Sequence, residues 1–267
     1  MEFDTILLER TEGIATIRMN RPKEMNTLNF GLTRDLLKAL EVCWDDIGTK
    51  AVVITGSGKA FCAGGDVAAF KDAADIGDAT RQMTKDFDPL ISGIRRIHKP
   101  VIAMINGVCM GAGLSLAAAC DLRICGASAV FRQAYTSVGL TPDGAWGLHI
   151  PLLIGFGRAS ELIFSDPMID AKRAYEIGLV GEVVDDTELE AKTMEKARSI
   201  ARGPLAAFAI AKDNLNRAML ALLESQLEQE RLGIMKAGRT HDAREGIAAI
   251  LERRKPEFTG GVNSKGV

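Results

Sequence analysis

Residues 101–122 read VIAMINGVCMGAGLSLAAACDL, and this stretch decides the fold class. It begins with an apolar run, passes through a glycine-rich turn at 106–113 and ends in the alanine-rich segment 114–119. A membrane span is the alternative for so long an apolar stretch. However, Pro100 precedes it, Asn106 interrupts it, and its glycines fall where a helix would be weakened. The stretch therefore predicts a buried strand, a tight turn and a short buried helix.

The same order of strand, glycine turn and helix recurs along the first two thirds of the chain. Residues 5–8 and 14–18 have the alternating side-chain pattern of strands on either side of Gly13, which is typical of a β-hairpin. In residues 30–42 the leucines recur at the spacing of one helix face, which predicts a helix. Continuous apolar runs predict buried strands at 51–55 and 101–104, and residues 122–125 and 183–184 predict further strands. Strands that alternate with helices predict an α/β fold with parallel strand pairing.

The last third is predicted to be helical from about residue 186. Helices are expected over 187–202, 205–235 and 242–252, with Gly203-Pro204 separating the first from the second. Their long apolar stripes fit two arrangements, a cap packed on the chain's own core or an interface between subunits.

Composition excludes several classes of protein. The chain has 267 residues, 47% of them hydrophobic, with 33 Lys and Arg against 35 Asp and Glu. This balance argues against a disordered chain and against a nucleic-acid partner. Five cysteines without a Cys-x-x-Cys pair, and a start that lacks a secretory or transit pattern, predict a cytoplasmic protein with reduced thiols.

Three familiar kinds of site are also excluded. Residues 55–59 read TGSGK, but a phosphate-binding loop would need Gly at Val53 and Ser or Thr at Ala60. A dinucleotide fingerprint fails because its third glycine position holds Phe61. No Gly-x-Ser-x-Gly elbow occurs, and the three histidines lack metal-ligand spacing, so no metal is expected.

Two glycine-rich turns remain, at 61–66 and 106–113, each following a predicted buried strand. The N-terminus of a helix presents unpaired backbone N–H groups and the positive end of the helix dipole. Two such turns on neighbouring strands would aim two N–H groups at one oxygen, as in an oxyanion hole. From the residues alone, two ordinary strand-to-helix connections are the simpler explanation of the glycines, because single glycine turns are common.

Several motifs, in order along nearly the whole chain, resemble the crotonase superfamily of enoyl-CoA hydratases and isomerases. They are Asn20-Arg21-Pro22-Lys23, Ala63-Gly64-Gly65-Asp66, Asn106-Gly107 leading to Gly111-Ala112-Gly113, Ala118-Ala119-Cys120-Asp121-Leu122 and Phe131-Arg132-Gln133-Ala134. The resemblance implies a crotonase-like spiral of ββα units over residues 1–190. It also implies a C-terminal helical region over 191–267 that serves in trimerisation and in closing the pocket. The assembly would be a homotrimer or a homohexamer formed as a dimer of trimers.

The resemblance further implies an acyl-CoA thioester substrate, with no cofactor other than the coenzyme A that the substrate carries. The thioester carbonyl would be held by the N–H groups of Gly65 and Ala112. Asp66 is expected to hold its turn rather than to react. The other implied substrate-binding residues are Lys23 and Met25 at the adenine end, Ala63, Gly64 and Val67 at the pocket, Tyr135 at the acyl group, and Phe258 at the pocket's closure.

The sequence departs from the family's hydratases at both catalytic positions. Where they carry two glutamates, this chain has Ser115 and Tyr135, and neither can act as a carboxylate base. The replacement that the resemblance offers is Asp143, at a position where several isomerases of the superfamily carry a catalytic Asp. A lone carboxylate beside a thioester suits a proton shuttle that moves a double bond. Burial would raise its pKa toward the working range.

Other functions of the same fold stay open. A divergent hydratase would use Asp143 to activate water, and an inactive acyl-CoA-binding protein would not need Asp143 at all. An aromatic acyl-CoA dehalogenase would use Asp143 as nucleophile, but Asp88 stands where such enzymes carry a histidine. Tyr135 is expected to wall the acyl pocket, with a hydroxyl donor as the alternative, and His149 is a background candidate. The sequence does not distinguish linear, aromatic and ring-opened acyl groups. A role in fatty acid metabolism and a role in aromatic degradation are therefore both consistent with it.

Overall fold

Two β-sheets lie side by side in the computed structural model, which describes residues 3–71 and 73–260. Within this part of the chain the strands are β1 (Ile6–Thr11), β2 (Ile14–Met19), β3 (Ala51–Gly56), β4 (Ala60–Cys62), β5 (Val101–Ile105), β6 (Val108–Met110), β7 (Leu122–Gly126), β8 (Val130–Arg132), β9 (Ile169–Asp170) and β10 (Glu182–Val184). The helices are α1 (Phe30–Asp45), α2 (Ile76–Arg96), α3 (Ala112–Ala119), α4 (Trp146–Ile154), α5 (Phe156–Ser165), α6 (Ala171–Glu176), α7 (Leu189–Ala201), α8 (Leu205–Gly238) and α9 (His241–Leu251).

The larger sheet has the strand order β1-β2-β3-β5-β7-β10, and the smaller one has the order β4-β6-β8-β9. The predicted hairpin β1–β2 is antiparallel, and every later pairing in the larger sheet is parallel. The pairs β3/β4, β5/β6 and β7/β8 each give one strand to each sheet. The chain thus winds as a spiral, and the parallel α/β class predicted from the sequence is confirmed.

The predicted buried strands form where the apolar runs place them, since β3 and β5 are buried along their whole length. Sequence reasoning from the residues missed the smaller sheet. Strands β4, β6 and β8 have three residues each; β4 and β6 lie partly or wholly in stretches interpreted as turns, and β8 lies where no strand was predicted. Three residues are too few for a periodic pattern, so their pairing depends on the spiral itself.

The apolar stretch 101–122 contains β5, β6 and α3, where a strand, a turn and a buried helix were predicted. All eight residues of α3 are buried, and the helix begins at Ala112, two residues before the predicted start. Among the described residues, no helix combines the length and the apolar character that crossing a bilayer requires.

The C-terminal helices form close to the predicted ranges and pack on their own chain. Helix α8 lies against α2, and Lys212 of α8 donates to Asp121 Oδ2 over 2.6 Å. Asp121 Oδ2 also accepts the N–H of Val101 at the start of β5, so α8 is anchored to the larger sheet. The C-terminal helices therefore form the predicted cap on the chain's own core. The subunit interface and the domain boundary at 190 remain predictions.

Candidate active site

The two glycine-rich turns meet at one end of the smaller sheet. A Cβ atom built on Gly111 would lie 3.4 Å from Gly64 Cα, so the two backbones are in contact. Gly64 has φ +109° and Gly111 has φ +52°, a region of backbone conformation that side chains disfavour. A Cβ on Gly113 would lie 2.3 Å from the carbonyl oxygen of Cys62. Glycine is therefore required for α3 to start this close to β4.

Two backbone N–H groups are left free where the turns meet. On either side of Gly65, Leu28 N donates to Gly64 O and Asp66 N donates to Leu28 O, each over 2.8 Å. Among the described residues the N–H of Gly65 itself donates to no acceptor. Ala112 is the first residue of α3, so its N–H has no partner within the helix. Both residues line the same cavity, and the oxyanion hole that they would form stays a prediction.

A cavity of about 300 Å³ opens in front of these donors. Its wall is mostly apolar and comes from the 67–70 turn, from α2, from the loop before α4 and from the C-terminal helices. The apolar side chains in the lining are Leu28, Val67, Ala68, Phe70, Met83, Phe87, Met110, Val138, Leu140, Ile234 and Ile250. The predicted residues Ala63, Gly64, Gly65, Asp66, Val67, Ala112, Tyr135 and Asp143 also line it. The fold therefore brings eight of the eleven predicted site residues together.

Asp143 is the buried carboxyl group of this cavity. Burial raises its pKa from 3.8 to about 6, although the hydrogen bond from Tyr135 acts in the opposite direction. The Tyr135 hydroxyl donates to Asp143 Oδ1 over 2.6 Å, and burial with the nearby Asp143 charge raises the pKa of Tyr135. A carboxyl group with a pKa near 6 can both accept and return a proton near neutral pH.

Ser115 and Tyr135 form a network with Asp143 rather than a pair of independent catalysts. Ser115 Oγ donates to the backbone oxygen of Asp143 over 2.7 Å and lies 3.1 Å from the Tyr135 hydroxyl. Tyr135 thus lines the cavity, and its hydroxyl donates to Asp143. Its role toward an acyl group stays a prediction.

Two acids near Asp143 were not identified as site residues from the sequence. Burial, together with the charge of Asp143, raises the pKa of Asp88 on α2 to about 8. Burial raises the pKa of Glu230 on α8 to about 7. The resemblance marks Asp88 only as the residue in place of a dehalogenase histidine, and no motif marks Glu230. Both approach Asp143 through the packing of α2 and α8.

Asp66 has the structural position expected of it. Its carboxylate pairs with the Arg21 guanidinium over 3.1 Å and so ties the 61–66 turn to the segment before α1. Met25 lies beside this turn, since its carbonyl oxygen accepts the N–H of Ala63, but neither Lys23 nor Met25 lines the cavity.

The remaining predicted positions lie away from the cavity. Phe258 is 42% exposed and does not line it; the C-terminal side chains that do are Ile234 and Ile250. His149 is buried in α4 outside the lining, and burial lowers its pKa to about 3. Within residues 3–71 and 73–260, no His, Cys, Asp and Glu side chains are grouped to hold a metal ion.

Known proteins resemble the chain along nearly its whole length. Residues 9–261 match the family described as "Enoyl-CoA hydratase/isomerase". A probable enoyl-CoA hydratase of Rhodobacter capsulatus is 37% identical, with 97% of this chain and 100% of the relative covered. A 1,2-epoxyphenylacetyl-CoA isomerase of Escherichia coli is 35% identical, with 97% and 99% covered.

Among solved structures, an enoyl-CoA hydratase from Mycobacterium avium subsp. paratuberculosis superposes with a TM-score of 0.88 at 28% identity. The match covers 97% of this chain and all of that one. The expected α/β spiral with C-terminal helices is thereby confirmed. The chain belongs to the enoyl-CoA hydratase/isomerase family and has the crotonase fold.

Proposed function

We propose that the protein is an enoyl-CoA isomerase, which moves a double bond along an acyl-CoA thioester by proton transfer through Asp143. One observation carries the proposal. A single buried carboxyl group, with a pKa of about 6, lines the same cavity as the two free N–H groups of Gly65 and Ala112. Family membership supports an acyl-CoA substrate, and the relative named as an isomerase supports the reaction type.

In the proposed reaction the thioester oxygen of a 3-enoyl-CoA accepts hydrogen bonds from Gly65 and Ala112. Ionised Asp143 removes a proton from the carbon next to the carbonyl, and the electron pair becomes a dienolate. The two donors stabilise the charge on its oxygen as it forms, and in comparable sites the loss of one such donor costs about 2.7–4 kcal/mol. Protonated Asp143 then returns the proton two carbons further along, which leaves the conjugated 2-enoyl-CoA.

Tyr135 and Ser115 hold Asp143 for this task. The Tyr135 hydroxyl donates a hydrogen bond to Asp143 Oδ1. Asp143 Oδ2 makes no hydrogen bond with any described residue, so this oxygen is left to contact the substrate. Ser115 fixes the backbone of Asp143 through its carbonyl oxygen. The mostly apolar lining favours an acyl group without charge, either an alkyl chain or a ring.

Hydration is the second candidate, because the relative from Rhodobacter capsulatus is named a probable hydratase and Asp88 supplies a second acid with a raised pKa. Hydration needs one group to activate water and another to deliver a proton. Asp88, however, does not line the cavity, and Ser115 and Tyr135 carry no carboxyl group. The geometry therefore favours a single base.

The two functions are separated by turnover of trans-3-hexenoyl-CoA and of crotonyl-CoA, followed by absorbance of the conjugated thioester. We expect the protein to conjugate the 3-enoyl ester and its Asp143→Asn variant to lose about 10²–10⁴-fold in kcat. Consumption of crotonyl-CoA alone would establish hydration instead. Binding of both esters without turnover would support an acyl-CoA-binding protein.

A further inference from the structure

A short parallel β-bridge between Leu28 and Gly65 holds the peptide group that carries the Gly65 N–H. The N–H of Leu28 donates to Gly64 O, and the carbonyl oxygen of Leu28 accepts the N–H of Asp66, each over 2.8 Å. Both bonds of Leu28 thus go to the neighbours of Gly65, as in a parallel ladder. The N–H of Gly65 itself is therefore directed away from Leu28, and Gly65 lines the cavity.

Local backbone preference does not fix the direction of this N–H. Gly64 and Gly65 both lack a side chain, so the peptide group between them is free of the usual side-chain limits on rotation. The bridge that holds it is one residue pair long. Any further contact that keeps Leu28 and Gly65 side by side therefore also keeps the N–H in one direction.

The guanidinium group of Arg21 makes such a contact, because it spans the bridge. Its Nη1 donates to the carbonyl oxygen of Thr27, the residue before Leu28. Its Nη2 donates over 3.1 Å to Oδ2 of Asp66, the residue after Gly65. The fork of an arginine is planar and rigid, so one group holds both segments at a fixed separation. The ion pair is also largely shielded from water, with 16% and 20% of the two side chains exposed.

The backbone from which Arg21 extends is itself fixed to the sheets. The N–H of Arg21 donates to Asn26 Oδ1, and its carbonyl oxygen accepts the N–H of Asn26, each over 2.9 Å. Asn26 is fully buried, and its Nδ2 donates to the carbonyl oxygens of Ser57 and Ala60 over 2.9 Å and 2.8 Å. Ser57 follows β3 and Ala60 begins β4, so the clamp is anchored to rigid elements rather than to a loop.

We infer that Arg21 is a positioning residue, which directs the Gly65 N–H toward the thioester oxygen by clamping Thr27 and Asp66 on either side of the bridge. Arg21 does not line the cavity, so it acts through the backbone. The inference rests on the proposed function in taking Gly65 as a donor to the thioester. It does not depend on the double bond, so a saturated acyl-CoA that cannot isomerise is a sufficient probe.

The test compares the protein with its Arg21→Met variant, which removes the fork and keeps an unbranched side chain. Hexanoyl-CoA labelled with ¹³C at the carbonyl is bound, and its carbonyl band is read by infrared difference spectroscopy. Hydrogen bonds to the oxygen lower the frequency of this band, so we expect it to move back toward that of the free ester in the variant.

The kinetics give a second readout. We expect kcat of the variant for trans-3-hexenoyl-CoA to fall about 10–100-fold. KM should change far less, because the donor acts most on the charge that forms in the transition state. The acid limb of the pH profile should stay in place, since burial and Tyr135 set the pKa of Asp143.

Asp66→Ala breaks the same ion pair from its other side. The double variant should therefore lose less in kcat than the product of the two single losses. The matched control is Arg198→Met, which removes a more exposed ion pair with Glu12, and the carbonyl band should not move there. If Arg21→Met fails to fold, Arg21→Lys keeps the charge without the fork and should give a smaller change in the same direction.

A bound-ester band that is the same in the wild type and in the folded Arg21 variants would overturn the inference. So would a wild-type band that does not differ from that of the free ester, because Gly65 would then donate nothing to the carbonyl. A band that moves in the Arg21 variants of a protein that does not isomerise trans-3-hexenoyl-CoA would uphold the inference and refute the proposed function.

Discussion

At the scale of single residues, the properties of Asp143 come from what surrounds it. Burial raises its pKa, and the hydroxyl of Tyr135 partly offsets that increase. Ser115 and Tyr135 stand where the resemblance places the glutamates of hydratases, and both bond to Asp143. The two residues that stand in place of the hydratase glutamates therefore both hold Asp143, the base that we propose.

Tyr135→Phe removes the hydroxyl that donates to Asp143 and leaves the ring in the cavity wall. Since this hydrogen bond stabilises the ionised carboxylate, we expect the pKa of Asp143 to rise by about one unit. The acid limb of the kcat/KM profile would then move to higher pH. The control is Tyr175→Phe on α6, at a tyrosine that is 57% exposed. If the pH profiles of kcat/KM were the same for the wild type and Tyr135→Phe, the hydroxyl would not stabilise the ionised form of Asp143.

Asp143→Asn should change how stability depends on pH. The folded-state pKa of Asp143 is raised from 3.8 to about 6, so the folded protein favours the protonated form. The contribution of this group to stability is fully present below pH 3.8 and is lost as pH rises toward 6. The amide does not ionise, so relative to wild type the variant should gain up to about 3 kcal/mol between pH 4 and pH 7. Denaturant unfolding at both pH values measures the free energy of unfolding of the two proteins. A difference between variant and wild type that does not vary with pH would contradict this prediction.

At the scale of elements, the site depends on how closely α3 can approach β4. Gly113→Ala should destabilise the protein by several kcal/mol, since the new Cβ would meet the Cys62 carbonyl at 2.3 Å. It should also displace the N–H of Ala112 and reduce kcat more than it raises KM. Gly157→Ala, on α5 with nothing within 4 Å of the new Cβ, is the control and should stabilise by about 0.5–1 kcal/mol. Equal effects of the two substitutions on unfolding would contradict the close-approach argument.

The elements also show how much of the site was predictable. The buried runs at 51–55 and 101–104 predicted β3 and β5, because apolar periodicity is a local signal. The meeting of the two glycine turns was one of two open alternatives, because contact between distant turns is not encoded in either one. Asp143, Gly65 and Ala112 were identified through the resemblance. Glu230 carries no such mark, because it reaches the start of α4 only when α8 packs against that helix.

At the scale of the whole molecule, several large apolar side chains in one stretch of the sequence are uncovered on a single chain. Phe156 and Phe164 of α5 are 79% and 87% exposed, and Leu152 of α4 and Met168, which follows α5, are 59% and 58% exposed. Large exposed apolar side chains are a feature of surfaces that pair with another protein. The trimer implied by the resemblance offers a partner, namely a second copy of this chain.

Sedimentation equilibrium tests the trimer. We expect a mass of about 86 kDa for three chains of 28.7 kDa each, or twice that mass for a dimer of trimers. Phe164→Lys should lower the mass toward that of one chain, because a buried unpaired charge is costly at an interface. Ile47→Lys, at a residue that is 95% exposed away from this surface, should leave the mass unchanged. A wild type that sediments as a single chain would contradict the prediction.

The central claim, that one carboxyl group carries the proton from one carbon to the other, is tested most directly by isotope transfer. The measurement is a single turnover of trans-3-hexenoyl-CoA deuterated at the carbon next to the carbonyl, with the product read by mass spectrometry and NMR. We predict that part of the deuterium appears two carbons further along in the conjugated product, and that Asp143→Asn forms no such product on the same timescale. A conjugated product that carries only solvent hydrogen at that carbon, or one with a hydroxyl group added, would contradict the single-base account.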